Sequence, residues 1–413
     1  MKNNIPQGYK ATALGIIPQE WEVMRLGDIV SITSGESPSL YHLKAEGKYP
    51  YVKVEDLNNC EKYQESSREY SDDNNTTIKA GSIIFPKRGA SILNNKVRIA
   101  AKDIQMDSNM MAITPHTAIV DTEFLYIRIL HERLYRIADT SSIPQINNKH
   151  IIPYKIAVPP LAEQRKIAEV LGVWDEAIEK QARLIEKLAL RKRGLMQRLL
   201  SAKLRLPGFS EPWKKVKLGD IGDTYNGLSG KNKDDFEYGN AQFIPYINVF
   251  SNERIDTNNL GCVQIKPNEQ QNTVKYGDIF FTVSSETPDE VGMASVLLEH
   301  LDNTYLNSFC FGYRLNNFST LNPFFAAYLF RTEHFRNYMS VLAQGSTRFN
   351  ISKKEVMKLK IDLPTIEEQT AIAEVLTAAD REIELAKEKL ERLRRQKRGL
   401  MQQLLTGKKR IKI

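Results

Sequence analysis

Two kinds of loop in this chain carry side chains suited to reading nucleic-acid bases, and each kind occurs twice. After the β-rich run Gly81 to Phe85 come Pro86-Lys87-Arg88-Gly89-Ala90-Ser91 and then Asn94-Asn95-Lys96-Val97-Arg98; the matching place later in the chain is Thr282-Val283-Ser284-Ser285-Glu286-Thr287. The second kind comprises Ser141-Ser142-Ile143-Pro144-Gln145-Ile146-Asn147-Asn148-Lys149 and Gly345-Ser346-Thr347-Arg348-Phe349-Asn350-Ile351-Ser352-Lys353-Lys354. Arg and Lys fork onto guanine, Asn and Gln pair with adenine, and Ser, Thr and Lys hold phosphates. The candidates for DNA contact are therefore Lys87, Arg88, Asn94, Asn95, Lys96, Arg98, Gln145, Asn147, Asn148 and Lys149 in the first half, and Ser284, Ser285, Thr347, Arg348, Asn350, Lys353 and Lys354 in the second. Lys53 and Asn248, which follow the recurring tripeptides Pro50-Tyr51-Val52 and Pro245-Tyr246-Ile247, join them. Taken singly, each is also ordinary turn chemistry. Their recurrence at corresponding positions favours binding.

Catalytic constellations are sparse by comparison. Gly230-Lys231 is followed by Asn232 and lacks the upstream glycine of a phosphate loop. The six histidines form no HExxH, and the three cysteines, Cys60, Cys262 and Cys310, have no CxxC spacing, which argues against a zinc site or a disulfide framework. Asn322-Pro323-Phe324-Phe325 is one residue short of an amino-methyltransferase tetrapeptide and reads as a helix start, while Glu46-Gly47-Lys48 is an isolated echo of a nuclease metal site in a polar loop. No metal ligand set emerges, and the chain reads as non-catalytic.

The loops must be held by something, and the chain supplies a repeated frame. Trp21-Glu-Val-Met-Arg-Leu-Gly-Asp28-Ile29 returns as Trp213-Lys-Lys-Val-Lys-Leu-Gly-Asp220-Ile221, and Glu163-Gln164 through Leu200 returns without a gap as Glu368-Gln369 through Leu405. In the first copy Ile167, Leu171, Trp174, Ile178, Gln181, Ile185, Leu188, Lys192, Leu195 and Leu199 alternate spacings of four and three; the second reads Ile372, Leu376, Ala379, Ile383, Ala386, Leu390, Leu393, Lys397, Leu400 and Leu404. These are heptad seams. Each helix starts after a proline brake, Pro159-Pro160 or Pro364, and runs about 40 residues, or roughly 60 Å. Two stripes of equal length predict that the helices pair with each other, antiparallel, and their apolar positions are the candidates for the coiled coil and for partner binding. Gly194 and Gly399 recur in Lys-Arg-Gly-Leu-Met-Gln, where glycine costs about 1 kcal/mol against alanine. Close approach of another backbone would explain them, as would neutral inheritance through the duplication.

Short β-rich runs such as Tyr51 to Val54, Ser82 to Phe85 and Ile279 to Val283 alternate with Asn-rich loops, and a helical pattern follows in each half, Phe124 to Ala138 and Phe324 to Ala343. The expected organisation is an extension over 1–20, an α+β domain over 21–160, a long helix over 161–205, a connector over 206–212, a second α+β domain over 213–363, and a second long helix with a basic tail over 364–413. The net charge of +8 is unevenly spread. Residues 21–160 hold 17 basic and 17 acidic side chains and residues 213–363 hold 16 and 17, so the excess lies in 161–212 (11 and 7) and 364–413 (12 and 8). Basic residues near helix C-termini also favour the helix dipole, so the charge alone does not establish a polyanion partner. Neither a signal-peptide stretch nor a membrane-spanning run is present, which points to the cytoplasm.

This frame resembles the specificity subunit of type I restriction-modification enzymes. The resemblance runs from about Trp21 onward and rests on the doubled Trp-x-x-x-x-Leu-Gly-Asp-Ile opening, the doubled Glu-Gln helix start, and Lys-Arg-Gly-Leu-Met-Gln. It implies two mixed α/β target recognition domains in tandem pseudo-repeat, each reading one half of a split double-stranded DNA target, separated by two long helices in an antiparallel coiled coil. It further implies two methyltransferase subunits docked along those helices and motor-nuclease restriction subunits added for cleavage. S-adenosylmethionine, ATP and Mg2+ would then belong to the partners, and this chain would bind no cofactor. Near-neutral recognition domains are weak electrostatic attractors, so the lone subunit is expected to bind DNA feebly.

Overall fold

A computed structural model describes residues 5–139 and 143–411; Ser141 and Ser142 lie outside the described residues. The chain divides into two compact units, Met1–Ala182 with Glu388–Ile413, and Arg183–Lys387. Each unit thus combines one α+β domain with the start of one long helix and the end of the other. The expected segments set the helices apart from the domains, whereas the packing shares each helix between units.

In the first unit the opening strand Glu22–Arg25 pairs antiparallel with the closing strand Lys155–Val158, just ahead of the long helix Leu161–Leu199. The second unit repeats this ribbon with Lys214–Lys217 and Lys360–Leu363, ahead of the helix Ile366–Leu405. The recurring Leu-Gly-Asp follows from that stitching. Leu26 and Leu218 are fully buried, and their amides donate to the carbonyls of Tyr154 and Leu359 at 2.7 and 3.0 Å. A Cβ at Gly219 would lie 3.0 Å from the Met357 carbonyl oxygen, so a side chain there would crowd the closing turn.

Between the ribbon strands sits a sheet ordered Val30–Ser34, Met110–Pro115, Ile83–Pro86, Arg98–Ala100 and Tyr63–Gln64; the second unit repeats its first four strands as Gly222–Asn226, Cys310–Leu315, Ile279–Thr282 and Ala294–Val296. Neighbours within those four are antiparallel in both units. Each unit adds a three-stranded sheet with one parallel and one antiparallel pair. The helical patterns are interrupted. The first helix, Thr122–Glu132, ends where Arg133 adopts a left-handed φ of 57°, and a 3-10 turn Leu134–Ile137 follows. The second divides into Pro323–Leu329 and Glu333–Leu342, with the Thr332 hydroxyl capping the latter. Apolar periodicity runs through that break because Phe325, Phe330, Phe335 and Met339 all enter one core.

The long helices pair as expected. In the first unit Ile167 and Leu171 share a core with Trp21, Phe124, Leu404 and Leu405; in the second, Ile372 and Leu376 share one with Leu199, Leu200 and Phe325. Start meets end in both, so the pairing is antiparallel. Along the seam Leu188 and Leu390 are buried, while Trp174, Ile178, Ile185, Leu195, Ile383, Leu393 and Leu400 are half-buried. The backbone approach expected at Gly194 and Gly399 is not found, since a Cβ built at either meets nothing within 4 Å. Open space replaces the expected contact. Gly194→Ala and Gly399→Ala should each raise stability by about 1 kcal/mol; a lower midpoint in urea denaturation of the full chain would restore a packing role.

The Glu-Gln helix starts have a clear structural cause. Arg410 donates to Glu163 through Nε and Nη2 at 2.7 and 2.9 Å, and Arg205 donates to Glu368 at 2.6 and 2.7 Å. Both carboxylates are buried, and Glu163 also accepts from the Trp21 indole at 3.0 Å. Further along, Lys397 pairs with Asp175, and Lys192 pairs with Asp380 at 2.7 Å. Gln164 donates to the carbonyls of Pro159 and Ile119 and accepts from the Asp121 amide; Gln369 does the same with Pro364, Thr320 and Asn322. Removing one partner of a buried ion pair leaves an uncompensated charge. Arg205→Ala should therefore lower the melting temperature, and adding Glu368→Gln should recover much of the loss; a double variant as unstable as the single one would refute the clamp.

Candidate nucleic-acid interface

The two kinds of loop, more than fifty residues apart in sequence, are zipped together by main-chain bonds. In the first unit the Lys87 amide donates to the Asn109 carbonyl, its own carbonyl accepts from Ile146, and the Gly89 amide donates to Pro144, each at 2.8 Å. Arg88 bridges Gln145, and Gln145 exchanges both main-chain bonds with Asp139 at 2.9 Å. The second unit builds the same frame: Val283 donates to Phe309 at 2.9 Å and accepts from Ile351 at 3.0 Å. There Ser284 and Ser285 pair with Asn350 and Phe349, and Asn350 exchanges bonds with Gln344 at 2.8 and 2.9 Å. Backbone bonds ask little of side-chain identity. One scaffold therefore carries Lys87, Arg88 and Gln145 in one unit and Val283, Ser284 and Asn350 in the other.

Around this frame Arg88, Asn94, Asn148 and Lys149 are exposed in the first unit, as are Thr347, Arg348, Asn350 and Lys354 in the second. Gln145 and Asn147 are half-buried, and the Asn147 amide is held by His150 Nδ1 at 3.1 Å. Lys87 is half-buried too, and burial pushes its ammonium below the ordinary lysine range against the opposing pull of Asp107. Ser284 and Ser285 are buried, with the Ser285 hydroxyl donating to Glu290 at 3.1 Å.

Several expected readers instead serve the fold. Asn248 is fully buried: its side-chain amide donates to the carbonyls of Asp256 and Asn259 at 2.9 Å, and its oxygen accepts from the Asp256 amide at 3.0 Å. Asn95 takes a left-handed φ of 49° and donates to the Leu130 carbonyl at 3.0 Å. Arg98 holds the carbonyls of Leu57, Cys60 and Val97, all at 2.8 Å. Lys53 pairs with Glu69, and Lys96 with Asn58. Loop composition pointed to these residues because the same polar groups satisfy bases and buried carbonyls. The opposite omission concerns cations on the ribbons. Arg25 faces Lys155 across one, and Lys217 faces Lys360 across the other. Their signal was the basic residue kept before Leu-Gly in both repeats.

The family model described as the type I restriction modification DNA specificity domain matches residues 18–189 and again 210–395. The chain belongs to that family. A specificity subunit of the type I restriction enzyme MjaVIII from Methanocaldococcus jannaschii is 26% identical over 424 residues, covering 96% of this chain and 94% of the relative. The solved type I restriction-modification S subunit from M. genitalium superposes with a TM-score of 0.54 at 17% identity, covering 98% of this chain and 97% of its own. A chain from a solved structure concerned with assembly and conformational transition of the type I system gives 0.65 at 19% identity, with 95% and 99% covered. The two family matches fall on the two repeats, so the duplication is a duplication of the specificity domain.

Arg348→Ala should leave stability within about 0.5 kcal/mol, as expected of an exposed residue, while weakening DNA binding. Asn248→Ala should cost about 1–3 kcal/mol by stranding buried carbonyls. Urea denaturation and fluorescence anisotropy on one set of variants separate the two roles; equal stability loss for both would place Arg348 in the fold.

Proposed function

We propose that this chain is a specificity subunit that reads a bipartite DNA target, one half-site per unit, and carries no catalytic centre of its own. The observation that supports this most directly is the shared main-chain frame bearing different side chains: the scaffold is held constant while the readable groups change. Half-sites about one helical turn apart would present both targets on one face of the duplex. On this reading the length of the paired helices sets the spacer. Two methyltransferase subunits dock along those helices, with restriction subunits added for cleavage. S-adenosylmethionine, ATP and Mg2+ are held by the partners, and the complex works in the cytoplasm. Among the described residues no helix is long and apolar enough to cross a membrane.

Net charge bears on affinity. Near-neutral domains release few counterions, so the lone subunit binds weakly and gains affinity when partners close around the duplex. Exchanging residues 21–160 for another recognition domain should redirect one half-site and leave the other unchanged, as mapped by sequencing methylated adenines in cells carrying this protein with its methyltransferase partner. Unchanged methylation sites after the exchange would favour a DNA-independent scaffold. Calorimetry with S-adenosylmethionine should show no binding to the purified chain; saturable binding would favour an enzyme.

A further inference from the structure

Lys217 and Lys360 stand directly opposite each other across the second ribbon, and Arg25 and Lys155 occupy the same places in the first. Like charges in register across an antiparallel pair are destabilising. A chain that places two cations there in both repeats is keeping a repulsion that a bound anion would relieve. In the second unit the surroundings add to it. A concavity of about 280 Å³ is lined by four lysines, Lys217, Lys353, Lys354 and Lys358, together with Thr224 and Met357, and no carboxylate is among its lining residues.

The four ammonium groups differ in what holds them. Lys358 is paired with Glu355 at 2.7 Å. Lys353 donates to the neutral Asn226 and lies over the Phe311 ring at 5.8 Å, and burial lowers its pKa. Lys217 is half-buried and Lys354 is exposed. Lys353 and Lys354 follow the zipped Phe349–Asn350 segment within four residues, so the concavity adjoins the candidate reading loops. At the place of Lys353 and Lys354 the first unit carries Asn148 and the exposed Lys149, a weaker version of the same cluster.

We propose that this lysine-lined concavity seats a backbone phosphate of double-stranded DNA beside the half-site read by the second unit. The inference rests on the DNA-binding reading and extends it from Lys353 and Lys354 of the reading loop to Lys217 and Lys358 outside it. A phosphate there would meet the ammonium groups of Lys217, Lys353 and Lys354, relieve the repulsion that Lys217 shares with Lys360 across the ribbon, and fix the register of the duplex. It would carry no base information, since phosphate contacts position and base contacts specify.

The test is the salt dependence of binding by the full chain to a fluorescent duplex of mixed sequence, between about 50 and 200 mM salt, where each phosphate contact contributes about 0.9 to the slope of log affinity against log salt. Lys217→Gln with Lys354→Gln should flatten the slope by about 0.9, the share of one phosphate contact. The methylated target sequence in cells should stay unchanged. Lys217→Arg with Lys354→Arg should keep the slope, and the same charge loss at Lys166 and Lys180 should not alter it. A folded glutamine variant with the wild-type slope, or one with a changed target sequence, overturns the seat alone. Wild-type chain that binds no duplex, by itself or with its methyltransferase partner, overturns the DNA-binding reading and the seat with it. Should the double glutamine variant fail to fold, Lys354→Gln alone at the exposed position decides: a folded variant with the wild-type slope rules against the seat.

Discussion

A buried carboxylate at the start of each long helix, neutralised by an arginine from beyond the end of the other, is the constraint on which both units depend. Glu163 and Glu368 are both 1% exposed, so each requires its cation. Arg410 and Arg205 supply it by two-pronged contact. Neither pair can form unless start meets end, and the second set of bridges, Asp175 with Lys397 and Asp380 with Lys192, demands the same orientation. Leucine and isoleucine stripes supply the adhesion. The ion pairs set direction and register, as polar groups at a heptad seam commonly do.

The neighbouring glutamines carry that constraint into the domains. Gln164 and Gln369 tie the helix starts to the segments ahead of the Thr122–Glu132 and Pro323–Leu329 helices, which pack beneath the main sheets. From there the closing ribbons and the main-chain zipper hold the variable loops. The links named between the long helices and those loops are backbone bonds, buried apolar contacts and pairs that recur in both repeats. The exposed side chains at the far end bear none of this load. Arg88 and Asn350 can differ freely between repeats because the frame beneath them is made of amides and carbonyls.

Much of the basic excess in the helices also serves this frame. Arg205 and Lys397 belong to the two segments that carry the basic excess, and Lys192 lies half-buried between Asp380 and Glu253, which hold its pKa above the ordinary range against desolvation. Positive charge counted along the sequence therefore overstates what is left to meet a polyanion. The opposed cations of the ribbons lie in near-neutral segments, where a net count hides them.

Local chemistry repeated twice made the duplicated frame, the two α+β domains and the paired helices legible from the residues alone: seven-residue periodicity forces a stripe, and a stripe needs a partner. Polarity in loops was a poorer guide. It identified Arg88, Gln145, Arg348 and Asn350 together with Asn95, Arg98 and Asn248, because a hydrogen-bonding group looks the same whether it faces solvent or a buried carbonyl. Which of these the fold would consume depended on long-range contacts: Asn95 on Leu130, Arg98 on Leu57, and the whole loop frame on strands that meet across more than fifty residues. The sequence by itself determined which elements form and that they come in pairs. The tertiary structure decided which polar groups remain free, since burial and partner geometry belong to the folded chain.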